Sequence, residues 1–280
     1  MNRRAIIIEA SCVPGEIIIN GALKDSVNWR KFLNIDLGGD WSDDEIIVLH
    51  TPTKAEVLKK ISESQSDYLF VTFSGHGGAL NGDEVICLKD DTCSIWTIKA
   101  LIKKQSPKAT LILDCCRADG DADVIVETAL NSAVSASRTR RMVKSSGHKD
   151  STLSNMRTFC KTGFPSSMPT FESSAGVESN SANVWFKALN ECDKGLVIMW
   201  ACSRGESAGE DGSENPDVGG YFSTALMVAA YNWNKITQQL YCVYNTKEAF
   251  DDALQYIPDS QQNPVYLPEI LSFPFAISSL

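Results

Sequence analysis

Short apolar runs rich in β-branched residues alternate along this chain with segments that have the spacing of amphipathic helices. The runs lie at 5–9 (AIIIE), 45–50 (EIIVLH), 68–73 (YLFVTF), 110–115 (TLILDC) and 195–201 (GLVIMWA). Strands that are apolar on both faces are typical of a parallel sheet covered on both sides. Their alternation with helices predicts right-handed crossovers and an open α/β sheet, here of about six mostly parallel strands.

The segments between these runs carry helix signals. Residues 25–33 (DSVNWRKFL) have apolar side chains at helical spacing, and Asp25 stands where an N-cap residue is expected. Similar patterns predict further helices at 52–62, 96–104, 221–232 and 246–256.

Composition excludes several classes of function. The 280 residues are 43% apolar and 22% charged, as in an ordinary globular domain. No run of 18 apolar residues occurs, and the one at 5–8 is too short for a signal peptide, so we expect a cytoplasmic protein without a membrane partner. A net charge of −9 argues against nucleic-acid binding. Nine cysteines without C-x-x-C spacing indicate reduced thiols and no zinc site.

The helical and strand periodicity fades over 127–183, a segment rich in Ser and Thr. We interpret this segment as a long flexible loop inside one domain, 1–280, between an N-terminal part at 1–126 and a C-terminal part at 184–280. Within the loop, 137–161 carries a net charge of about +6, which leaves about −15 for the rest of the chain.

Two of the predicted strands end in reactive residues. One leads into SGHGG (74–78) and the other into DCCR (114–117). Ligands of open parallel sheets bind beyond the carboxyl ends of the strands, so His76 and Cys116 face each other if the two strands are neighbours. Either residue alone is more often structural, but the joint placement favours a thiolate nucleophile with an imidazole base. The backbone N–H groups of Gly77 and Cys116 are the natural donors to a tetrahedral oxyanion.

With these residues the sequence resembles the caspase-like cysteine peptidases, and within them the metacaspases and their bacterial relatives. Five stretches carry the resemblance in order, namely 19–33 (INGALKDSVNWRKFL), 68–78 (YLFVTFSGHGG), 109–119 (ATLILDCCRAD), 197–227 (VIMWACSRGESAGE to GGYFSTALM) and 261–266 (QQNPVY). The resemblance implies a caspase-like three-layer fold. It makes 1–126 the large-subunit-like part, 127–183 the processing loop and 184–280 the small-subunit-like part.

The resemblance also implies roles for single residues. Cys116 would be the nucleophile and His76 the general base and acid, while Cys115 occupies a supporting position. Metacaspases cleave after basic residues, and the positions that match their S1 pocket are Asp25, Ser74 and Asp114. Two carboxylates and a hydroxyl suit a guanidinium or an ammonium group, so we expect protein or peptide substrates with Arg, or Lys, at P1. The helix N-cap remains the alternative role of Asp25.

The basic segment acquires a role from this specificity, because nicking concentrates in exposed, unstructured loops. We predict cleavage within 137–161, either by the enzyme itself or by an upstream activating protease. The candidate sites are Arg138, Arg140, Arg141 and Lys144. Docking of an acidic partner on this basic segment is the alternative.

We expect no cofactor, although many metacaspases bind calcium through acidic residues after the histidine loop. Asp83, Glu84, Asp90 and Asp91 could contribute ligands, but the next stretch, TCSIWTIKAL, is free of acids. Calcium prefers six to eight oxygen ligands, so the sequence favours calcium independence. The stretch CRADGDAD also departs from the family's usual His-Ser-Gly after the cysteine.

Three other functions stay open from the sequence alone. The chain could be a catalytically silent caspase-like scaffold, although a scaffold has no need of His76, Cys116 and an acidic pocket. It could be an effector protease of bacterial defence or cell death, held inactive until a partner cleaves its loop. A hydrolase of small thioesters or amides is the third alternative.

Overall fold

A six-stranded sheet forms the centre of the structure, a computed structural model that describes residues 1–118, 180–210, 218–257 and 262–279. In spatial order the strands are β10 (Val265–Leu267), β8 (Gly195–Trp200), β7 (Lys108–Asp114), β3 (Tyr68–Gly75), β1 (Arg3–Ala10) and β2 (Ile46–His50). Neighbouring strands are parallel, except that β10 runs antiparallel to β8. The mostly parallel, six-stranded sheet predicted from the sequence is confirmed.

Helices cover both faces of this sheet and complete three layers. One face packs against α1 (Asn20–Asn34), α4 (Ser181–Glu191), α5 (Tyr221–Ile236) and α6 (Thr246–Ala253). The other face packs against α2 (Lys54–Ser62) and α3 (Ile95–Gln105). Short 3-10 helices lie at Asp36–Gly38, Asp43–Glu45 and Leu254–Tyr256.

The unbroken apolar runs of the sequence follow from this layering. In β1, Ala5 and Ile7 point into one core, whereas Ile6 and Ile8 point into the other. Because successive side chains of a strand alternate between the two faces, a strand covered on both sides needs apolar residues at every position.

Two small antiparallel sheets were not predicted from the sequence. Directly after β3, the chain forms β4 (Gly77–Leu80), β5 (Asp83–Cys87) and β6 (Thr92–Ser94). The β4–β5 turn is Asn81-Gly82, with φ of 52° and 82°, because a two-residue hairpin turn of this hand requires positive φ at both positions. The second small sheet pairs β9 (Val243–Asn245) with β11 (Pro274–Ile277).

Two helices differ from the sequence predictions, α1 in where it begins and α4 because no helix was predicted at 181–191. Helix α1 begins at Asn20 with Ile19 at its N-cap position, so the N-cap interpretation of Asp25 is wrong. Asp25 instead lies inside the helix on its buried side. Residues 181–183, assigned to the loop from the sequence, form the first turn of α4. The rest of the predicted loop, apart from Asn180, lies outside the described residues.

The order of the strands brings the two reactive segments together. Strands β3 and β7 are neighbours, and their parallel register places Ser74 opposite Asp114 at the carboxyl edge. This is the arrangement on which a His76–Cys116 site depends. Across the ranges that the structure describes, no helix is both long enough and apolar enough to cross a bilayer.

Candidate active site

A cavity of about 250 Å³ opens at the carboxyl edge of the sheet, where β3 and β7 end. His76 follows β3 and Cys116 follows β7 after one intervening residue, and both side chains line this cavity. The other predicted site residues that line it are Asp25, Ser74 and Asp114. The structure therefore brings together five residues that the sequence separates by up to 91 positions.

The imidazole of His76 is held by a backbone group. Its Nε2 atom lies 2.6 Å from the carbonyl oxygen of Ile17, in the loop between β1 and α1. A carbonyl oxygen only accepts hydrogen bonds, so Nε2 carries a proton and Nδ1 is the nitrogen left to exchange one. This contact could not be predicted from the sequence, because a main-chain acceptor has no side-chain signature.

The two adjacent cysteines have different surroundings. The thiol of Cys116 is half-buried and lies 3.8 Å from the carbonyl oxygen of Ala208, to which it donates. Cys115 is 2% exposed. Its burial, followed by the nearby Cys116, raises the pKa of the Cys115 thiol well above its usual value. Cys115 is thus kept as a neutral thiol, consistent with a supporting position.

The backbone after His76 approaches the cysteine loop closely. A Cβ atom at Gly77 would lie 2.8 Å from Cys115 Sγ and 3.0 Å from the carbonyl oxygen of Cys116. Only glycine permits this approach without a shift of its neighbours. Gly77 is therefore beside the loop that carries Cys116, as the predicted pair of oxyanion donors, Gly77 and Cys116, requires.

Three polar residues form the buried end of the cavity. Asp25 is 1% exposed, and its Oδ1 atom accepts a hydrogen bond from the N–H of Gly220 at 3.0 Å. The hydroxyl of Ser74 also hydrogen-bonds to Asp25. Asp114 Oδ2 accepts a hydrogen bond from the N–H of Ser223 at 2.8 Å.

A third carboxylate, Glu210, also lines the cavity and was not singled out from the sequence. Its Oε2 atom accepts a hydrogen bond from the N–H of Gly21 at 2.6 Å, and its backbone forms an isolated bridge with Gly220. These contacts fix Glu210 between the start of α1 and the start of α5. No lysine or arginine is among the described residues that line the cavity, so the charge of the site is acidic.

Two carboxyl groups of the cavity, those of Asp25 and Asp114, hold protons more tightly than exposed ones do. Burial, followed by the charge of Asp114, raises the pKa of Asp25 well above its usual value. Burial also raises the pKa of Asp114 to about 6, and the charge of Glu210 acts in the same direction. A cation in the cavity would favour the ionised forms of these carboxyl groups, because its positive charge offsets the cost of burying a carboxylate.

The family model of the caspase domain matches residues 2–266, nearly the whole chain. The chain belongs to the caspase-domain family. This confirms the family predicted from the sequence, and it places the chain among cysteine peptidases, which are hydrolases that act on proteins.

Solved structures agree with the caspase fold. The chain is similar to a protein of Geobacter sulfurreducens, with a TM-score of 0.55 and 15% identity over the whole of both chains. It is also similar to caspase-1 of Spodoptera frugiperda, with a TM-score of 0.50 and 14% identity over 95% of this chain and 86% of that one. At these identities the similarity shows the fold alone. No curated protein sequence matches the chain.

Three of the four acidic residues proposed as possible calcium ligands have other partners in this caspase domain, and the fourth, Asp83, is exposed. The N–H of Lys54 donates to Asp90, and the Lys54 ammonium lies 2.8 Å from Asp91. Glu84 pairs with Arg117. Within the described ranges, no group of three or more His, Cys, Asp or Glu side chains is placed to hold a metal ion. The predicted processing sites Arg138, Arg140, Arg141 and Lys144 lie outside those ranges.

Proposed function

We propose that this caspase domain is an endopeptidase of the metacaspase type, which cleaves proteins after Arg and also after Lys, with Cys116 as nucleophile and His76 as general base and acid. One observation carries the proposal. The cavity that holds the thiol and the imidazole also holds three carboxylates, and its described lining contains no arginine or lysine. A caspase that cleaves after Asp would need cationic side chains in this place, because a buried carboxylate requires a cationic partner.

Substrate binding follows from the charge and depth of the cavity. The side chain at P1 enters between Asp25, Asp114 and Glu210, with Ser74 as a further hydrogen-bonding group. A guanidinium group presents five donors in a planar fork, and it can bind two carboxylates at once. An ammonium group offers three donors from a single point, so we expect Lys to be cleaved more slowly than Arg.

Acylation is the first half of the reaction. His76 takes the proton of the Cys116 thiol at Nδ1. The thiolate that forms attacks the carbonyl carbon of the P1 residue, and the resulting oxyanion accepts hydrogen bonds from the N–H groups of Gly77 and Cys116. The amide C–N bond then breaks as His76 gives its Nδ1 proton to the departing amine. The products are an acyl-thioester on Cys116 and a peptide with a new amino terminus.

Deacylation restores the enzyme. His76 takes a proton from a water molecule through Nδ1, and the hydroxide that forms attacks the thioester carbonyl. The C–S bond breaks, and the product leaves with a new carboxyl terminus. The carbonyl of Ile17 accepts from Nε2 and keeps Nδ1 as the exchanging atom in both halves of the reaction.

We further propose that cleavage within 137–161 activates the enzyme, by its own action or by that of an upstream protease. The support is the seven basic residues of this segment against one acidic residue, which makes it rich in sites for the proposed specificity. An enzyme controlled in this way would suit a cytoplasmic effector of defence or cell death.

The test is hydrolysis of matched fluorogenic peptides with Arg, Lys, Asp or Ala at P1 by the wild type and by Cys116→Ala. We expect activity on Arg and Lys, loss of activity in the variant, and fragments cut within 137–161 in the intact mass of the wild type alone. If the wild type is silent, limited trypsin treatment tests for a zymogen. Silence after this treatment would favour the scaffold, and activity on Asp would refute the basic specificity.

A further inference from the structure

An ion pair between the buried Arg117 and the half-buried Glu84 directly follows the nucleophile, and the exposed Arg204 lies 3.1 Å from the same carboxylate oxygen. Arg117 is only 6% exposed although it carries a full positive charge. Its Nε atom donates to Glu84 Oε1 at 2.9 Å, and its Nη2 atom donates to the same oxygen. Its Nη1 atom donates to the carbonyl oxygen of Cys202 at 3.0 Å, and the guanidinium lies 4.1 Å from the ring centre of Trp200. One side chain thus makes four contacts at fixed angles.

These contacts join the three segments that build the site. Arg117 follows Cys116, Glu84 lies on β5 in the hairpin that follows His76, and Cys202 lies beyond the end of β8. Main-chain hydrogen bonds support the same junction, from Ala79 N–H to the Ala118 carbonyl at 3.1 Å and from Arg117 N–H to the Glu206 carbonyl at 2.9 Å. The pair therefore connects the histidine loop, the cysteine loop and the C-terminal half of the domain.

Fold stability alone does not account for a charged pair at this position. The desolvation of a buried ion such as Arg117 offsets much of its attraction to a partner, so apolar residues of similar volume often stabilise a core as well or better. A planar guanidinium group that contacts a carboxylate, a carbonyl oxygen and an aromatic ring instead fixes the orientation of its side chain.

We propose that Arg117 and Glu84 form a positioning pair, which holds the backbone of Cys116 in register with the His76 loop so that the thiol, the imidazole and the oxyanion donors stay aligned during turnover. This inference rests on the proposed use of Cys116 and His76, and it adds two residues that contact neither substrate nor reacting atoms. Because a displacement of about 1 Å can reduce a rate by about 100-fold, such a pair acts on kcat rather than on binding.

The experiment compares Arg117→Lys, Glu84→Gln and the double variant with the wild type. Lysine keeps the charge but not the fork, and glutamine keeps the shape and an acceptor oxygen but not the charge. Asp83→Asn is the matched control, because Asp83 is the exposed neighbour of Glu84 on β5. Active sites are titrated with a peptidyl chloromethyl ketone carrying Arg at P1, and kcat is expressed per titrated site.

We expect each single variant to lose about 10- to 100-fold in kcat, with KM changed less than about 3-fold. The double variant should be no slower than the slower single variant, because the two residues act as one unit. Asp83→Asn should match the wild type. An unchanged kcat per titrated site, with only fewer active sites or a lower Tm, would overturn the proposal, as would strictly multiplicative effects in the double variant.

A second readout applies if the wild type cleaves no basic peptide even after limited trypsin treatment, in which case the proposed function has failed. Carbamidomethylation of Cys116 by iodoacetamide then needs no substrate, and peptide mass mapping separates it from the other cysteines. We expect Arg117→Lys to slow this reaction several-fold relative to the wild type and Asp83→Asn. Equal rates in all three proteins would overturn the positioning role.

Discussion

Asp25 and Asp114 contact the same glycine from two directions. A Cβ atom at Gly220 would lie 2.4 Å from Asp114 Oδ2 and 3.0 Å from Asp25 Oδ2. The two acids belong to α1 and to the end of β7, and they converge where α5 begins. Because any side chain at Gly220 would displace one carboxylate, this glycine permits the acidic end of the cavity to form.

Replacement of Gly220 by alanine should therefore damage recognition of the basic residue at P1. We expect Gly220→Ala to lower kcat/KM for a P1-Arg peptide by about 10- to 100-fold, the cost of one or two misplaced charged hydrogen bonds. The change should be smaller for a P1-Ala peptide measured in the same preparation. Equal losses on both peptides would contradict the assignment of these carboxylates to the P1 pocket.

The preference for a basic residue should depend on pH. The pKa of Asp114 is raised to about 6 by burial, and a cation binds best when the carboxylates are ionised. The ratio of kcat/KM for P1-Arg over P1-Ala peptides should rise as pH increases through about 6. The ratio cancels proton transfers of the catalytic pair that both peptides share. In Asp114→Asn it should be low and flat across the same range, and a persisting rise would assign the titration to another group.

The same burial should make Asp114 unfavourable for folding at neutral pH. The pKa of Asp114 is about 6 in the folded state and near 3.8 in the unfolded state. Since the folded state binds the proton more tightly, the contribution of Asp114 to stability falls as pH rises between these two pKa values. Asp114→Asn removes this penalty, so it should raise the free energy of unfolding by roughly 1–3 kcal/mol at pH 7.5 and by much less near pH 3.5. Urea unfolding at both pH values measures the difference. A loss of stability at pH 7.5 would contradict it.

Removal of the Cys115 thiol should leave the chemistry in place. Its sulfur is buried, and its pKa is raised well above the usual value, so it supplies no thiolate at neutral pH. We expect Cys115→Ala to keep kcat within a few-fold of the wild type, with a small loss of stability from the cavity it creates. Cys116→Ala should be inactive. Full inactivation by Cys115→Ala in a folded protein would exchange the two roles.

Chelation should not affect the reaction. Three of the four acids after the histidine loop are engaged with Lys54 or Arg117, and a calcium site needs six to eight oxygen ligands. Hydrolysis of the P1-Arg peptide should therefore be equal in EDTA and in millimolar calcium. Activation by calcium that Asp90→Asn abolishes would show that these residues rearrange to bind the ion.

The sheet and the placement of His76 and Cys116 at its carboxyl edge could be predicted because their signals are local. A strand covered on both faces has an unbroken apolar run, and the positions after β3 and β7 are fixed once these strands are placed. The small sheet β4–β6 was missed because its first strand, Gly77–Leu80, is short and starts with two glycines. Neither feature is typical of a strand.

The remaining parts of the site depend on tertiary contacts. Asp25 was given two competing roles because a helix start near it is plausible, whereas α1 begins at Asn20 and includes Gly21. The N–H of Gly21 is the donor to Glu210, a residue in a loop without periodicity. The contact with the His76 imidazole uses only the main chain of Ile17. No pattern in the sequence reports such pairs before the fold is known.

The pairing of β7 with β8 affects how the protein would respond to a cut. These strands come from opposite sides of the basic segment 137–161, yet they are neighbours inside the sheet, hydrogen-bonded from Lys108 and Gly195 up to Leu113 and Trp200. Side chains from both halves also share one core. A break in the connecting chain would therefore yield a non-covalent heterodimer of two fragments, and an affinity tag on either one would retain both until denaturant separates them.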